Sequence, residues 1–185
     1  MRESALEGST VRILVVDDYE PWRRFVSTTI SKHPKLHLIG EASDGLEAVL
    51  RAEELQPDLI VLDIGLPTLN GLEVARRIRK LSPESKILFI SQESSTGLVQ
   101  EALDLGALGY VVKVNAGSEL SAAMEAVVEG RQYLSAALAD HEYTTPADTQ
   151  AAQFLAKAGC GASSSCKTYG SPSARKRARS ALHLS

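Results

Sequence analysis

The sequence predicts an α/β fold built on a parallel sheet, and three observations carry that prediction. Five short apolar runs alternate with five segments of helical period between residues 11 and 128. The runs are near-continuously apolar, as in strands covered on both faces. Acidic or other polar residues stand at the ends of four of them.

The first run, 11–16 (VRILVV), is rich in β-branched residues and stops at Asp17 and Asp18. Segment 21–31 then offers Trp22, Phe25, Val26 and Ile30 at helical spacing. A weaker strand, 36–40 (LHLIG), precedes a helix over 45–55 that carries Leu46, Val49, Leu50 and Leu55. The third run, 58–62 (DLIVL), stops at Asp63. Asn70-Gly71 is a turn pair opening helix 72–81, whose Leu72, Ala75, Ile78 and Leu81 face away from its Arg and Lys residues. Run 86–90 (KILFI) ends at Ser91, and helix 97–105, with Leu98, Ala102 and Leu105, closes at Gly106. Run 109–112 (GYVV) ends at Lys113, and helix 118–128, with Leu120, Met124, Val127 and Val128, closes at Gly130. The folded body is therefore expected over 10–135, after a flexible start at 1–9.

Bulk properties narrow the function classes. With 185 residues, 44% hydrophobic and 23% charged, the chain has the composition of a soluble globular domain plus an appendage. Its apolar runs fall far short of the roughly 20 residues a bilayer requires, and its N-terminus lacks an apolar signal core, so no membrane is expected and the location is read as cytoplasmic. Cys160 and Cys166 both lie in the tail and read as reduced, unpaired thiols. His33, His37, His141 and His183 have no acid or thiol at ligand spacing, which argues against a phospho-carrier histidine. No glycine-rich phosphate loop or dinucleotide fingerprint follows any strand. All 23 acidic residues precede residue 151, leaving 1–150 at −9 and 151–185 at +6.

Ligands of an open parallel sheet bind outside the carboxyl ends of its strands. The residues there are Asp17, Asp18, Asp63, Ser91 and Lys113. Three clustered carboxylates persist at neutral pH when a cation compensates them, and an all-oxygen site that keeps some waters suits Mg²⁺, with Mn²⁺ as the alternative. Lys113 offers a point charge and Ser91 a hydroxyl for phosphoryl oxygens. A carboxylate can attack phosphorus to give an acyl phosphate, given in-line positioning and neutralised equatorial oxygens. Asp63, alone at the end of the central strand, is the candidate nucleophile. Asp17 and Asp18 are adjacent and serve together only if the strand has ended before them. Asp18 is expected to coordinate metal directly, and Asp17 directly or through water.

These residues, with the stretches Asp63-Ile-Gly-Leu-Pro67, Asn70-Gly71 and Gly106-Ala-Leu-Gly-Tyr110-Val-Val-Lys113, resemble a two-component response regulator receiver domain over roughly 10–130. The resemblance implies a flavodoxin-like, doubly wound sheet of five strands in the order 2-1-3-4-5 with five helices. It implies phosphorylation of Asp63 by a histidine kinase or phosphotransfer protein, and a metal site of Asp17, Asp18, Asp63 and the Gly65 carbonyl. It further implies that Ser91 and Tyr110 relay the phosphorylated state, the Tyr110 ring turning into space that Ser91 vacates. A homodimer or a downstream protein is then the expected partner at the face of the fourth helix, fifth strand and fifth helix. Such a domain is a phosphoryl acceptor with self-dephosphorylation rather than a turnover enzyme. One departure is Val114, where the family usually places proline after the lysine.

Relatives of this kind often continue into a helix-turn-helix, but residues 131–185 contain neither isoleucine nor valine, too little for a packed recognition domain. The tail, 136–185, is read as divergent or truncated, with one short helix over about 146–158 behind the cap Thr145-Pro146-Ala147-Asp148 and then a disordered basic end. DNA is not the expected partner. The alternative reading is a DNA-binding regulator acting through the basic tail or a lost helix-turn-helix.

Overall fold

The computed structural model describes residues 10–139 and Tyr143, all of them within the compact unit Met1–Thr149. The expected tail helix and basic end lie outside the described residues. Strands β1 (Val11–Val16), β2 (Leu36–Ala42), β3 (Leu59–Asp63), β4 (Lys86–Ser91) and β5 (Gly109–Val112) alternate with helices α1 (Glu20–Ser31), α2 (Gly45–Leu55), α3 (Gly71–Leu81), α4 (Thr96–Asp104) and α5 (Ala116–Val128). All neighbouring strands pair in parallel, and the order 2-1-3-4-5 predicted for the first five is found. A two-residue strand, β6 (Tyr133–Leu134), extends the sheet beyond β5 and is followed by a 3₁₀ turn at Ala136–Leu138.

Alternate strand residues face opposite helical layers, as the pleat requires. Leu14, Val16, Ile60 and Leu62 pack with Ala48, Ile78, Val99 and Leu103, whereas Ile13, Val15, Leu59 and Val61 pack with Val26, Ile30, Leu120 and Met124. Each such aliphatic side chain, fully buried, contributes about 1.5–3 kcal/mol. Both faces being covered explains why these strands carry no polar alternation.

The helix ends follow their local chemistry. Asp44 caps α2 by accepting from the backbone N–H groups of Leu46 and Glu47 at 2.8 and 3.0 Å, and Asn70 caps α3 by accepting from Glu73 N at 2.9 Å. Gly106 and Gly130 take φ of +83° and +77°, the left-handed turn that stops α4 and α5. Gly71 has another reason to lack a side chain. A Cβ there would collide with the Asp63 carbonyl, so glycine lets α3 begin directly against the end of β3.

The sixth strand has a physical cause that lies far from it in sequence. Ser135 is fully buried, and its hydroxyl donates to Glu119 on α5, while Ala136 N donates to Glu119 Oε1 at 3.1 Å. Ser135 N also donates to the Tyr110 carbonyl at 2.9 Å, and Leu138 is buried in the core. Together these contacts bring the chain leaving α5 back along the edge of β5.

Candidate functional site

The chain order turns the sheet outward in both directions from β1 and β3, and the crevice between their carboxyl ends is where such folds bind ligands. Asp17 and Asp18 follow β1, Asp63 ends β3, Ser91 ends β4 and Lys113 follows β5. The structure brings all five together. Asp18, Asp63, Gly65, Ser91 and Lys113 line one cleft of 390 Å³, and Asp17 reaches it from beneath through Lys113.

Strand β1 stops at Val16, so both aspartates sit in the loop, and the alternation of an extended backbone no longer separates them. Carboxylate oxygens of Asp17, Asp18 and Asp63 lie within 4.8 Å of one another. Lys113 Nζ donates to Asp17 Oδ2 at 2.7 Å and stands 3.2 Å from Asp63 Oδ1. Asp17, Asp63 and Lys113 are only 2%, 4% and 7% exposed, whereas Asp18 faces solvent. The donor set is entirely hard oxygen, and its charge is only partly cancelled by one ammonium, which fits a divalent cation of the Mg²⁺ kind. A Cβ at Gly65 would come within 3.3 Å of Asp63 Oδ2, so glycine leaves that oxygen open.

Burial is the largest influence on Asp63 and pushes its pKa above the ordinary carboxylate value. The Lys113 charge opposes the rise, and the Asp17 and Asp18 charges add to it. A carboxyl whose folded pKa is raised binds more protons folded than unfolded, so its contribution to stability falls as pH rises through that folded pKa. Asp63→Asn is therefore expected to be more stable than the wild type in metal-free solution near neutral pH. The difference should shrink as pH falls toward the ordinary carboxylate range, and urea unfolding across that range with a chelator present measures it.

A family model described as the response regulator receiver domain matches residues 13–125. The chain belongs to that family. This receiver is 36% identical over 124 residues to the DNA-binding transcriptional activator DevR/DosR of Mycobacterium tuberculosis, covering 67% of the present chain and 57% of that protein. It is 42% identical over 106 residues to the protein-glutamate methylesterase/protein-glutamine glutaminase 2 of Photobacterium profundum, covering 56% of the chain and 27% of that protein. Among solved structures, a two-component response regulator of the LuxR family from Aurantimonas sp. superposes with a TM-score of 0.68 at 34% identity, covering 71% of this chain and 94% of that one. The response regulator domain of Thermotoga maritima CheB gives 0.60 at 31% identity, with 65% and 97% covered. The chain thus spans less than three-fifths of the curated relatives named here. Among the described residues no helix is long and apolar enough to cross a membrane.

Within this receiver, Ser91 Oγ accepts from Glu93 N at 3.2 Å, and the Tyr110 hydroxyl donates to the Glu93 carbonyl at 2.8 Å. The Tyr110 ring is fully buried beside Phe89, with ring centroids 6.4 Å apart. Burial pushes its phenol up to about 12, with Ser91 acting in the opposite direction. No cis peptide bond occurs among the described residues, and Lys113-Val114-Asn115 forms a 3₁₀ turn that leaves Val114 exposed.

Arg23 is a site residue the sequence reading passed over. Its Nη1 donates to the Asp17 and Asp18 carbonyls at 2.8 and 3.3 Å, and its Nε bridges to Glu41 at 3.2 Å. One guanidinium thus fixes the backbone of both acids. The available signal was an arginine in the first turns of the helix that follows an acidic pair, which on its own does not distinguish a site residue from a solvated one.

Proposed function

We propose that this receiver accepts a phosphoryl group on Asp63 from a histidine kinase or a phosphotransfer protein, with Mg²⁺ at Asp17, Asp18, Asp63 and the Gly65 carbonyl. The observation that carries the reading is the convergence of three carboxylates, a lysine ammonium and a serine hydroxyl from four strand ends onto one cleft. An Asp63 oxygen attacks phosphorus, the acyl phosphate bond forms, and the bond from phosphorus to the donor breaks with its electron pair leaving on the donor. The divalent cation supplies positive charge to the phosphoryl oxygens. Lys113, already beside Asp63 Oδ1, needs only a small movement to grip one of those oxygens, and the Ser91 hydroxyl donates to another. The product is a modified carboxylate, so the domain acts as a phosphoryl acceptor.

Ser91 and Tyr110 relay the modified state through Glu93. When Ser91 turns to the phosphoryl group, the Glu93 amide loses its acceptor and the loop holding the Tyr110 hydroxyl shifts. The output surface is the face of α4, β5 and α5. Since β6 pairs with β5, a second copy or a downstream protein would meet β6 at that edge. A second reading, DNA binding, is favoured by the name of the mycobacterial relative and by the basic residues at 175–179, which lie outside the described residues.

Beryllofluoride with Mg²⁺ tests the proposal by NMR. The Ser91 and Glu93 amides and the Tyr110 ring should all shift, the shift should reverse with a chelator, and Asp63→Asn should show none. A response in Asp63→Asn equal to that of the wild type would refute the assignment of Asp63.

A further inference from the structure

We infer that Trp22 is a positioning residue for phosphorylation, its indole face holding the Lys113 ammonium over Asp63. The inference rests on the reading of Lys113 as the residue that grips the phosphoryl group.

Trp22 lies in the first turn of α1 and lines the same cleft as Asp63, Ser91 and Lys113. Lys113 Nζ is 5.2 Å from its ring centroid, within the range of a cation–π contact. That ammonium is therefore held by three groups, the carboxylates of Asp17 and Asp63 and the indole face. Trp22 is itself fixed, meeting Phe25 edge to face at 5.1 Å and 90°. The sequence reading assigned Trp22 to packing, and the edge contact with Phe25 supplies that role. It does not account for a ring face directed at the Lys113 ammonium.

The two kinds of contact behave differently during the reaction. Attack by Asp63 converts the carboxylate held by Lys113 into an acyl phosphate whose carboxyl oxygens no longer carry the full negative charge, so the ammonium loses part of its anchor as the phosphoryl oxygens arrive. The ring quadrupole does not change with the state of Asp63. It restrains the flexible four-carbon stem of Lys113 throughout the exchange and leaves the ammonium fewer positions to search. A Leu or Met at position 22 would fill the same space without this restraint.

The test measures the second-order rate constant for acetyl phosphate labelling with Mg²⁺, read by intact mass. Trp22→Met should label roughly three- to ten-fold more slowly, and Trp22→Phe, which keeps a ring face, should recover most of the loss. In a Lys113→Met background, Trp22→Met should change the rate less than about two-fold, because the contact is already gone. A second readout needs neither metal nor donor. Trp22 is the only tryptophan of the chain, so removing the ammonium by Lys113→Met should raise its emission in the presence of a chelator, at a temperature where melting curves show both proteins folded.

Labelling of Trp22→Met at the wild-type rate overturns the inference. So does an equal slowing in the Lys113→Met background, which would make Trp22 a packing residue only. Labelling of Lys113→Met at the wild-type rate would remove the reading of Lys113 itself, and the inference with it. Should Trp22→Met fail to fold, the emission measurement decides, since it leaves Trp22 in place.

Discussion

Lys113→Ala should lower the stability of the metal-free protein by about 3 kcal/mol, the usual cost of removing one partner from a buried ion pair. The ammonium stands between Asp17 Oδ2 at 2.7 Å and Asp63 Oδ1 at 3.2 Å, and all three side chains are at most 6% exposed. Without it, two buried carboxylates face each other with Asp18 alongside, and nothing among the described residues replaces the lost charge. The loss should be largest near neutral pH and smaller in acid, where protonation relieves the repulsion. Adding Mg²⁺ should recover a substantial part of it, because a cation bound among the three acids supplies what the lysine supplied. Urea unfolding with a chelator and again with Mg²⁺ checks both statements. A variant as stable as the wild type without metal would mean the carboxylates are not electrostatically coupled.

Tyr110→Ala should cost about 4 kcal/mol, as expected when a large, fully buried aromatic leaves a cavity. Tyr110 is among the largest fully buried side chains, it contacts Phe89, and its strand is held on both sides by β4 and β6. Tyr110→Phe keeps the ring and loses only the hydrogen bond to the Glu93 carbonyl, so it should cost about 1 kcal/mol. The pair of variants separates packing from relay. Tyr110→Phe should still take the phosphoryl group while the response of Glu93 to beryllofluoride weakens. Chemical denaturation gives the first quantity and NMR of the labelled loop the second.

Much of the fold was legible because burial on both faces writes itself into the sequence. Runs such as 11–16 and 58–62 carry no polar alternation because helices cover both of their sides. The helix ends at Gly106 and Gly130 stand where the reading placed them, and the Asn70-Gly71 turn pair opens α3 as read, with Asn70 also capping it, since each answers a purely local backbone demand. The five site residues were legible for a different reason: each is a polar side chain closing an apolar run, and the topology gathers strand ends. β6 was not legible. Tyr133-Leu134 is too short to carry a period, and what holds it is the buried Glu119 on α5, which a helical pattern does not set apart from any other acid.

Arg23 and Trp22 escaped for a related reason. Their contacts with the Asp17 and Asp18 carbonyls and with Lys113 are made from the first turns of α1, whereas a helical pattern sorts residues only into buried and solvent faces. A residue at the boundary of the two faces serves both, and only the distances reveal it. Tyr110 shows a further limit. The resemblance alone implied a relay role for it, whereas its burial beside Phe89 and its hydrogen bond to the Glu93 carbonyl depend on packing around β5 that no local pattern encodes.

The most direct measurement is incubation with acetyl phosphate and Mg²⁺ followed by intact mass of the wild type and of Asp63→Asn. The account predicts one added phosphoryl group on the wild type, dependent on the divalent cation, and none on Asp63→Asn. An Asp63→Asn protein labelled to the same extent, or a wild type labelled equally well in a chelator, would contradict it.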